Sequence, residues 1–515
     1  MKAYYYRLKD AFTLKFIFLL FITQCFVKGI VFIIFTNGVF PLMKDMGIDA
    51  VGVQTYGALA MSPWTVKPLF GVLSDLIAIG GYHKKWWMFS SVLVGITGAI
   101  LMVVEIRNII CIVIFLTMIH FEIAIVDLLM EGQYAELMRK NPHTGSDIVT
   151  LSNGFQQFGF IVGMCFMGPL ADQKLFRISN AIALALCCTP ILPILFNFLP
   201  EVKRKKTPLV FIDTIRIRKQ WKIVIVVALT GLSAPAMASI AAFASKWLGL
   251  ACSGVVISVA AIGGFFAFDN KIIAKVALYQ IIAQGSKITF SSALDFFFTA
   301  DEACLPGGPA FGYKFYITTT GIAGAVASFS VVFIYQWLFS RWKFRSVILF
   351  TTILSGIGGL FDFVIVKRWN LHWGIPDAVF FLIGDDILHN MVDMLYWIPS
   401  SSIIGKVCPE NMEASTYAYL AGVSNFGRMI SVIAGAMITE MSGIKTVGPV
   451  CMWKNLEWLV LGGHVIIMLL FSIPASFLIP NEPQDADLLL EEKKEPIKME
   501  SVELENDFDQ NIIEF

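Results

Sequence analysis

Pro63-Trp64-Thr65-Val66-Lys67-Pro68-Leu69-Phe70-Gly71-Val72-Leu73-Ser74-Asp75 sets a lysine inside an apolar run. An ammonium in hydrocarbon is costly, so Lys67 is expected to face a water-filled cavity and to serve something there. The run ends on glycine and aspartate. Gly81-Tyr82-His83-Lys84-Lys85 follows, a short basic loop of the kind that marks the cytoplasmic side of a span. This one segment implies a membrane protein, an orientation and a polar path through it.

Composition agrees. The chain has 515 residues, 57% of them hydrophobic and 15% charged, against about a quarter charged in soluble domains. The net charge of +1 hides a split: residues 481–515 hold 12 acidic and 3 basic side chains, so a tail of −9 follows a body of +10. Such a tail reads as a disordered appendage. Among nine cysteines, Cys165, Cys187 and Cys188 sit in apolar runs as packing residues. Cys304 and Cys451 fall in loops assigned outside, where a disulfide can form.

Apolar segments of span length lie near 14–36, 52–77, 86–104, 109–131, 149–171 and 180–199, and after a polar stretch near 223–245, 250–268, 274–299, 313–338, 346–366, 377–400, 414–440 and 456–479. This predicts an all-α polytopic membrane protein of 14 spans. With the N-terminus inside, the inside loops hold about 19 basic residues and the outside loops about 9. Both termini are then cytoplasmic.

A weak repeat locates the surplus over two sets of six. Ser152-Asn153-Gly154-Phe155-Gln156 opens one span and Ser424-Asn425-Phe426-Gly427-Arg428 another, each serine followed eleven residues later by a glycine, Gly163 and Gly435. The basic loop Arg341–Arg345 corresponds to His83–Lys85. The expected organisation is a six-helix bundle over 1–199, a cytoplasmic central loop over 200–222, an extra helix pair over 223–273, a second bundle over 274–480 and the tail 481–515.

Polar residues within spans are the functional candidates. His120, Asp127 and Glu131 lie on one span; Asp385, Asp386, His389, Asn390 and Asp393 lie on another, where Asp386, His389 or Asn390, Asp393 and Trp397 share a helical stripe. A stripe of this kind faces a cavity or a neighbouring helix. Desolvated carboxylates can exchange protons near neutral pH, which makes Asp127, Asp386 and Asp393 the candidates for proton coupling. Lys67 and Arg428 are the candidate cations for a substrate anion; for Arg428 the alternative is an ion pair with one of the aspartates. Gln156 and Asn425 offer neutral hydrogen bonds, and Trp64, Tyr134, Phe155 and Trp397 offer stacking faces beside the polar stripe. Asp75, with Lys84 and Lys85, and Glu131 and Arg139 at the neighbouring helix end, are candidates for gating. No Gly-x-x-x-x-Gly-Lys-Ser/Thr run, metal cluster or nucleophile motif occurs, so neither an enzyme, a cofactor nor a nucleic-acid partner is implied.

Several segments together resemble the folate–biopterin transporter family of the major facilitator superfamily: Pro63–Pro68 with Ser74-Asp75 and Gly81-Tyr82; Glu131–Arg139 with Pro142, Gly145 and Asp147; Ala293–Thr299; Gly374–Asp377; and Cys408-Pro409 through Glu413–Thr416 to Asn425. Ala303–Pro309 is most like the protozoan pteridine and folate carriers. The resemblance implies two six-helix halves and secondary, proton-coupled import of folate or unconjugated pterins, such as biopterin, by a monomer in the plasma membrane. An S-adenosylmethionine carrier of the same family is the alternative, and a non-transporting sensor on the same scaffold a more distant one. Two departures stand out: Leu76–Ile79 lacks a proline expected after Ser-Asp, and His83 stands where an arginine is common. Asp485–Leu490 resembles an acidic dileucine sorting signal, which would direct the chain to an endosomal or other organelle membrane.

Overall fold

With no water in the hydrocarbon to satisfy backbone groups, apolar runs must bond internally, and they do so as helices. The structure, a computed structural model, describes residues 12–140, 145–204, 208–268, 270–407, 413–448 and 451–484. In chain order the first helices are α1 (Leu14–Asp45), α2 (Ala50–Ala60), α3 (Pro63–Leu76), α4 (Lys85–Val103), α5 (Ile109–Lys140), α6 (Gly145–Asp172) and α7 (Phe176–Leu195). Next come α8 (Thr214–Phe243), α9 (Lys246–Ala267), α10 (Lys271–Ser286), α11 (Ser291–Phe298), α12 (314–338), α13 (Phe344–Val366), α14 (377–406), α15 (Glu413–Met441) and α16 (Leu456–Leu478).

Eleven helices among the described residues are long and apolar enough to cross a bilayer. The expected segments 52–77, 274–299 and 377–400 are not among them, and each has a physical reason. The first is split at Met61-Ser62 and the second at 287–290, so that α2, α3, α10 and α11 are each short. The third is continuous as α14 but carries Asp385, Asp386, His389, Asn390 and Asp393. Pro63 opens α3 in the first turn, where its missing N–H costs nothing. Pro68 lies inside α3 and abuts Gly422 of α15, where a Cβ would lie 2.2 Å from the proline ring. Only glycine admits that approach of α3 to α15.

The hairpin α8–α9 is not a detached appendage. It packs on α2 and α3 on one side and on α15 on the other, with α9 also on α10. The described residues of 200–222 include a strand and the start of a helix. β1 (Ile77–Ile79) pairs antiparallel with β2 (Val210–Ile212), Ala78 opposite Phe211, and α8 starts at Thr214. The absent proline is thereby explained, because proline cannot donate to a ladder. Glu201 accepts the backbone N–H groups of His83, Lys84 and Lys85.

One end of the molecule is tied across the chain. Lys44 donates to the Thr299 carbonyl at 2.8 Å, Asp172 accepts the amides of Tyr313 and Lys314 at 2.7 and 2.9 Å, and Ala50 N donates to Thr446 at 2.9 Å. At the same end a disulfide joins Cys304 and Cys451. Cys187 is buried as expected, but Cys165 and Cys188 are exposed on the flank of their helices. The tail from Asp485 onward with its dileucine pattern, Pro142, Cys408-Pro409, and the side chains of Tyr134 and Arg139 lie outside the described residues.

Candidate functional site

Helices α1, α3 and α5 bring four charges to one point. Asp127, 2% exposed, accepts Lys28 Nζ at 2.7 Å on Oδ1 and Lys67 Nζ at 2.5 Å on Oδ2. Glu131, one turn along α5, lies 3.2 Å from Lys67 and 3.9 Å from Lys28. Gln24 Nε2 adds a hydrogen bond to Asp127 at 3.2 Å. Two ammoniums and two carboxylates balance, which is what a charge cluster in hydrocarbon needs. Lys28 and Gln24 both sit on a π-helical stretch of α1, Ile22–Val31, whose wider turn presents them to α5.

This corrects two readings. Asp127, taken from the sequence as a lone desolvated carboxylate, has two lysine counter-charges, Lys67 and Lys28. Lys67 spends its charge on Asp127 and Glu131 rather than on open cavity. Its ammonium also lies 5.0 Å from the Trp64 ring, whose carbonyl accepts Asn425 Nδ2 at 3.1 Å. Phe32 packs edge-on against Trp64 at 5.7 Å and against His120 at 6.0 Å. Trp64 Nε1 and His120 Nδ1 are buried without a hydrogen-bond partner among the described residues.

Arg428 stands one turn beyond Asn425 on α15. It is exposed, and among the described residues it makes no ion pair or hydrogen bond. The alternative of an arginine–aspartate pair is therefore not realised. Gln156 is half-buried on α6 and also lacks a described partner. Phe155 packs edge-on against Phe21 at 5.1 Å, as core rather than as a free stacking face.

The stripe on α14 does not act as one surface. Its π-helical turn Leu382–Leu388 interrupts the regular spacing. Asp393 is half-exposed and paired with Lys287 at 2.8 Å and with His389 at 3.4 Å, so it too has a counter-charge that the stripe did not reveal. Asp386 differs: its Oδ2 is buried with no hydrogen-bond partner. Trp397 is 55% exposed. The structure thus brings together Lys67, Asp127 and Glu131, and places Asn425 beside them through Trp64. It does not join Asp386 or Trp397 to them.

The gating candidates make these contacts. Lys84 Nζ reaches Gln133 at 3.3 Å and Glu136 at 3.4 Å on α5; Lys85 Nζ reaches Asn197 at 2.6 Å and the Leu195 carbonyl at 3.1 Å. Neither turns to Asp75, which is half-buried and has a partner of its own. His83 bonds the Ser74 carbonyl at 3.1 Å.

Charges missed in the sequence are Lys28, Lys287, and the pair Asp362–His464, whose Nδ1–Oδ2 distance is 2.7 Å. The signal for the two lysines was present, since each is a charge within an apolar stretch, like Lys67.

Comparison with known proteins gives the family. The profile described as the BT1 family matches residues 28–499. "Probable folate-biopterin transporter 6" of Arabidopsis thaliana is 24% identical over 476 residues, spanning 90% of this chain and 84% of its own length. "Folate-biopterin transporter" of Synechocystis is 22% identical, spanning 90% and 81%. "Folate transporter 1" of Plasmodium falciparum is 22% identical, spanning 83% and 72%. Among solved structures, a POT family transporter in complex with 5-aminolevulinic acid superposes with a TM-score of 0.67 at 11% identity, over 90% of this chain and 96% of that one. The nucleoside transporter NupG in its D323A form gives 0.58 at 14% identity, over 90% of this chain and 99% of that one. At such identities these neighbours give the fold alone, the major facilitator fold. Eleven apolar helices, a charge cluster buried among α1, α3 and α5, and the matching profile converge: the chain is a multi-pass membrane transporter rather than an enzyme, and it belongs to the BT1 family.

Proposed function

We propose that this chain is a proton-coupled secondary carrier that imports folate or unconjugated pterins by alternating access. Residues 1–199 and 274–480 act as two six-helix halves rocking about a site between them, with 223–273 as an inserted pair. The observation that carries this reading is Arg428, an exposed guanidinium without a partner, one turn from the Asn425–Trp64 contact. A forked donor suits a carboxylate or a pterin edge. The relatives' names, which include folate and biopterin, support the substrate class.

The buried and unpartnered Oδ2 of Asp386 favours a second reading, a carrier of the cationic S-adenosylmethionine. Orientation follows the basic loops, with both termini cytoplasmic and the protein in the plasma membrane. The Cys304–Cys451 disulfide supports an oxidising compartment on the opposite side.

The test expresses the protein in cells that cannot take up folate and measures labelled folic acid, biopterin and S-adenosylmethionine at two pH values. Folate or pterin uptake that falls with a protonophore is the expected result. Uptake of S-adenosylmethionine alone would replace the first reading by the second. Uptake indifferent to pH and to the protonophore would remove proton coupling.

A further inference from the structure

The second part of the chain holds a titratable group apart from the Asp127 cluster. Asp362, on α13, is 3% exposed. His464 meets its Oδ2 at 2.7 Å from α16, on the π-helical turn Leu461–Ile467. Asp385, on the π-helical turn of α14, lies close enough to Asp362 for the two carboxyls to interact. Phe290 stacks on the His464 ring at 5.9 Å and 26°. Gly359, one turn before Asp362, lets α16 approach, since a Cβ there would lie 2.9 Å from His464 Cβ and 3.0 Å from its carbonyl. The contact is therefore built into the packing of α13 against α16.

Two carboxyls facing each other cannot both carry charge without cost, and a proton between them or on the imidazole removes it. We propose that Asp362, His464 and Asp385 form the proton-binding site of this carrier, holding one proton among two carboxyls and one ring. The inference rests on the reading of the chain as a proton-coupled carrier, and it moves the coupling site away from Asp127 and Asp393. Binding is a simple transfer. A proton from water forms one O–H or N–H bond, and no other covalent bond changes. Its arrival strengthens the links among α13, α14 and α16, and its loss loosens them. π-helical turns at both Asp385 and His464 supply backbone that can adjust without breaking a helix.

The surrounding charges are few. From α14 come Asp386 and His389, the latter committed in part to Asp393 at 3.4 Å, which also pairs with Lys287. From α11 and α12 come Asp295 and Tyr316, joined at 2.6 Å. On α16 and at the end of α13, Glu457 and Lys367 pair at 3.0 Å; at the start of α13, Arg345 bonds the Ile479 carbonyl at 2.8 Å.

The test uses full-length protein in liposomes, with labelled folic acid, and compares two assays: exchange at equal pH on both sides, and net uptake driven by an inward gradient of about one pH unit, which can support about tenfold accumulation per proton. For the native protein, gradient-driven accumulation is expected. Asp362→Asn and Asp385→Asn are expected to keep exchange but to lose accumulation. Variants that exchange and still accumulate like the native protein overturn the site. A native protein that exchanges but ignores the gradient overturns proton coupling itself, and the site with it. Loss of exchange in Asp362→Asn shifts the decision to Asp385→Asn; loss in both assigns the residues to structure and overturns the proposal.

Discussion

The two polar centres of this transporter are built on opposite plans. At Asp127, two lysines and two carboxylates from α1, α3 and α5 close on one another, and the central carboxylate is all but hidden. On α13 and α14 the carboxylates are less evenly matched: Asp362 pairs with His464, Asp386 keeps a buried oxygen without a partner among the described residues, and Asp393 pairs with Lys287. A balanced cluster holds helices together whatever the pH outside. An unbalanced one changes when a proton is added. The contrast suggests a division of labour, with rigidity in the first centre and response in the second.

The largest effect should come from breaking the balanced centre. Asp127→Ala leaves Lys28 and Lys67 facing each other without their shared partner, and removing one member of a buried pair costs about 3–5 kcal/mol. Thermal unfolding in detergent should fall sharply; an unchanged midpoint would mean the cluster is hydrated and of little structural weight. Next comes Gly359→Ala, which pushes a methyl against the His464 backbone. Overpacking costs about 1–3 kcal/mol, and proton-driven uptake should suffer more than exchange. Asp393→Asn is expected to be milder, at most about 1 kcal/mol, because its pair with Lys287 is half-exposed. Added salt should weaken this pair and not the Asp127 cluster, a difference that stability measured across ionic strength would test. Smallest in stability is Arg428→Ala, within about 0.5 kcal/mol, since no partner is lost. Surface expression should persist while uptake disappears; retained folate uptake would remove Arg428 from the substrate site.

Much of the architecture was readable from hydropathy, because helices in lipid are dictated by the solvent. Split segments were harder. Apolar content alone does not announce a break near Met61 or 287–290; the local signals are Pro63, which starts α3, and Lys287. Lys67 and Asp127 were recognisable individually as charges in spans, but their pairing was not. Sixty residues separate them, and the third member, Lys28, reaches α5 from a π-helical stretch that no regular period describes. The same holds for Asp362 and His464, single polar residues in two apolar helices with no spacing to connect them. The α14 stripe was drawn on an ideal helix, and the π-helical turn at Leu382–Leu388 divides Asp386 from Asp393. Residue type and depth single out Arg428 in the sequence, but only the fold shows that no described residue pairs with it.

The short ladder between Ile77–Ile79 and Val210–Ile212 has a mechanical consequence. The chain leaving α7 is pinned by Glu201 to the amides before α4, and then stitched to the end of α3 before α8 begins. The described residues between α7 and α8 are therefore held at two points, Glu201 and β2. A pull on the start of α8 would meet the ladder first and, through it, the end of α3 at Ser74 and Asp75, on the helix that carries Lys67. What reads as a linker is a drawbar.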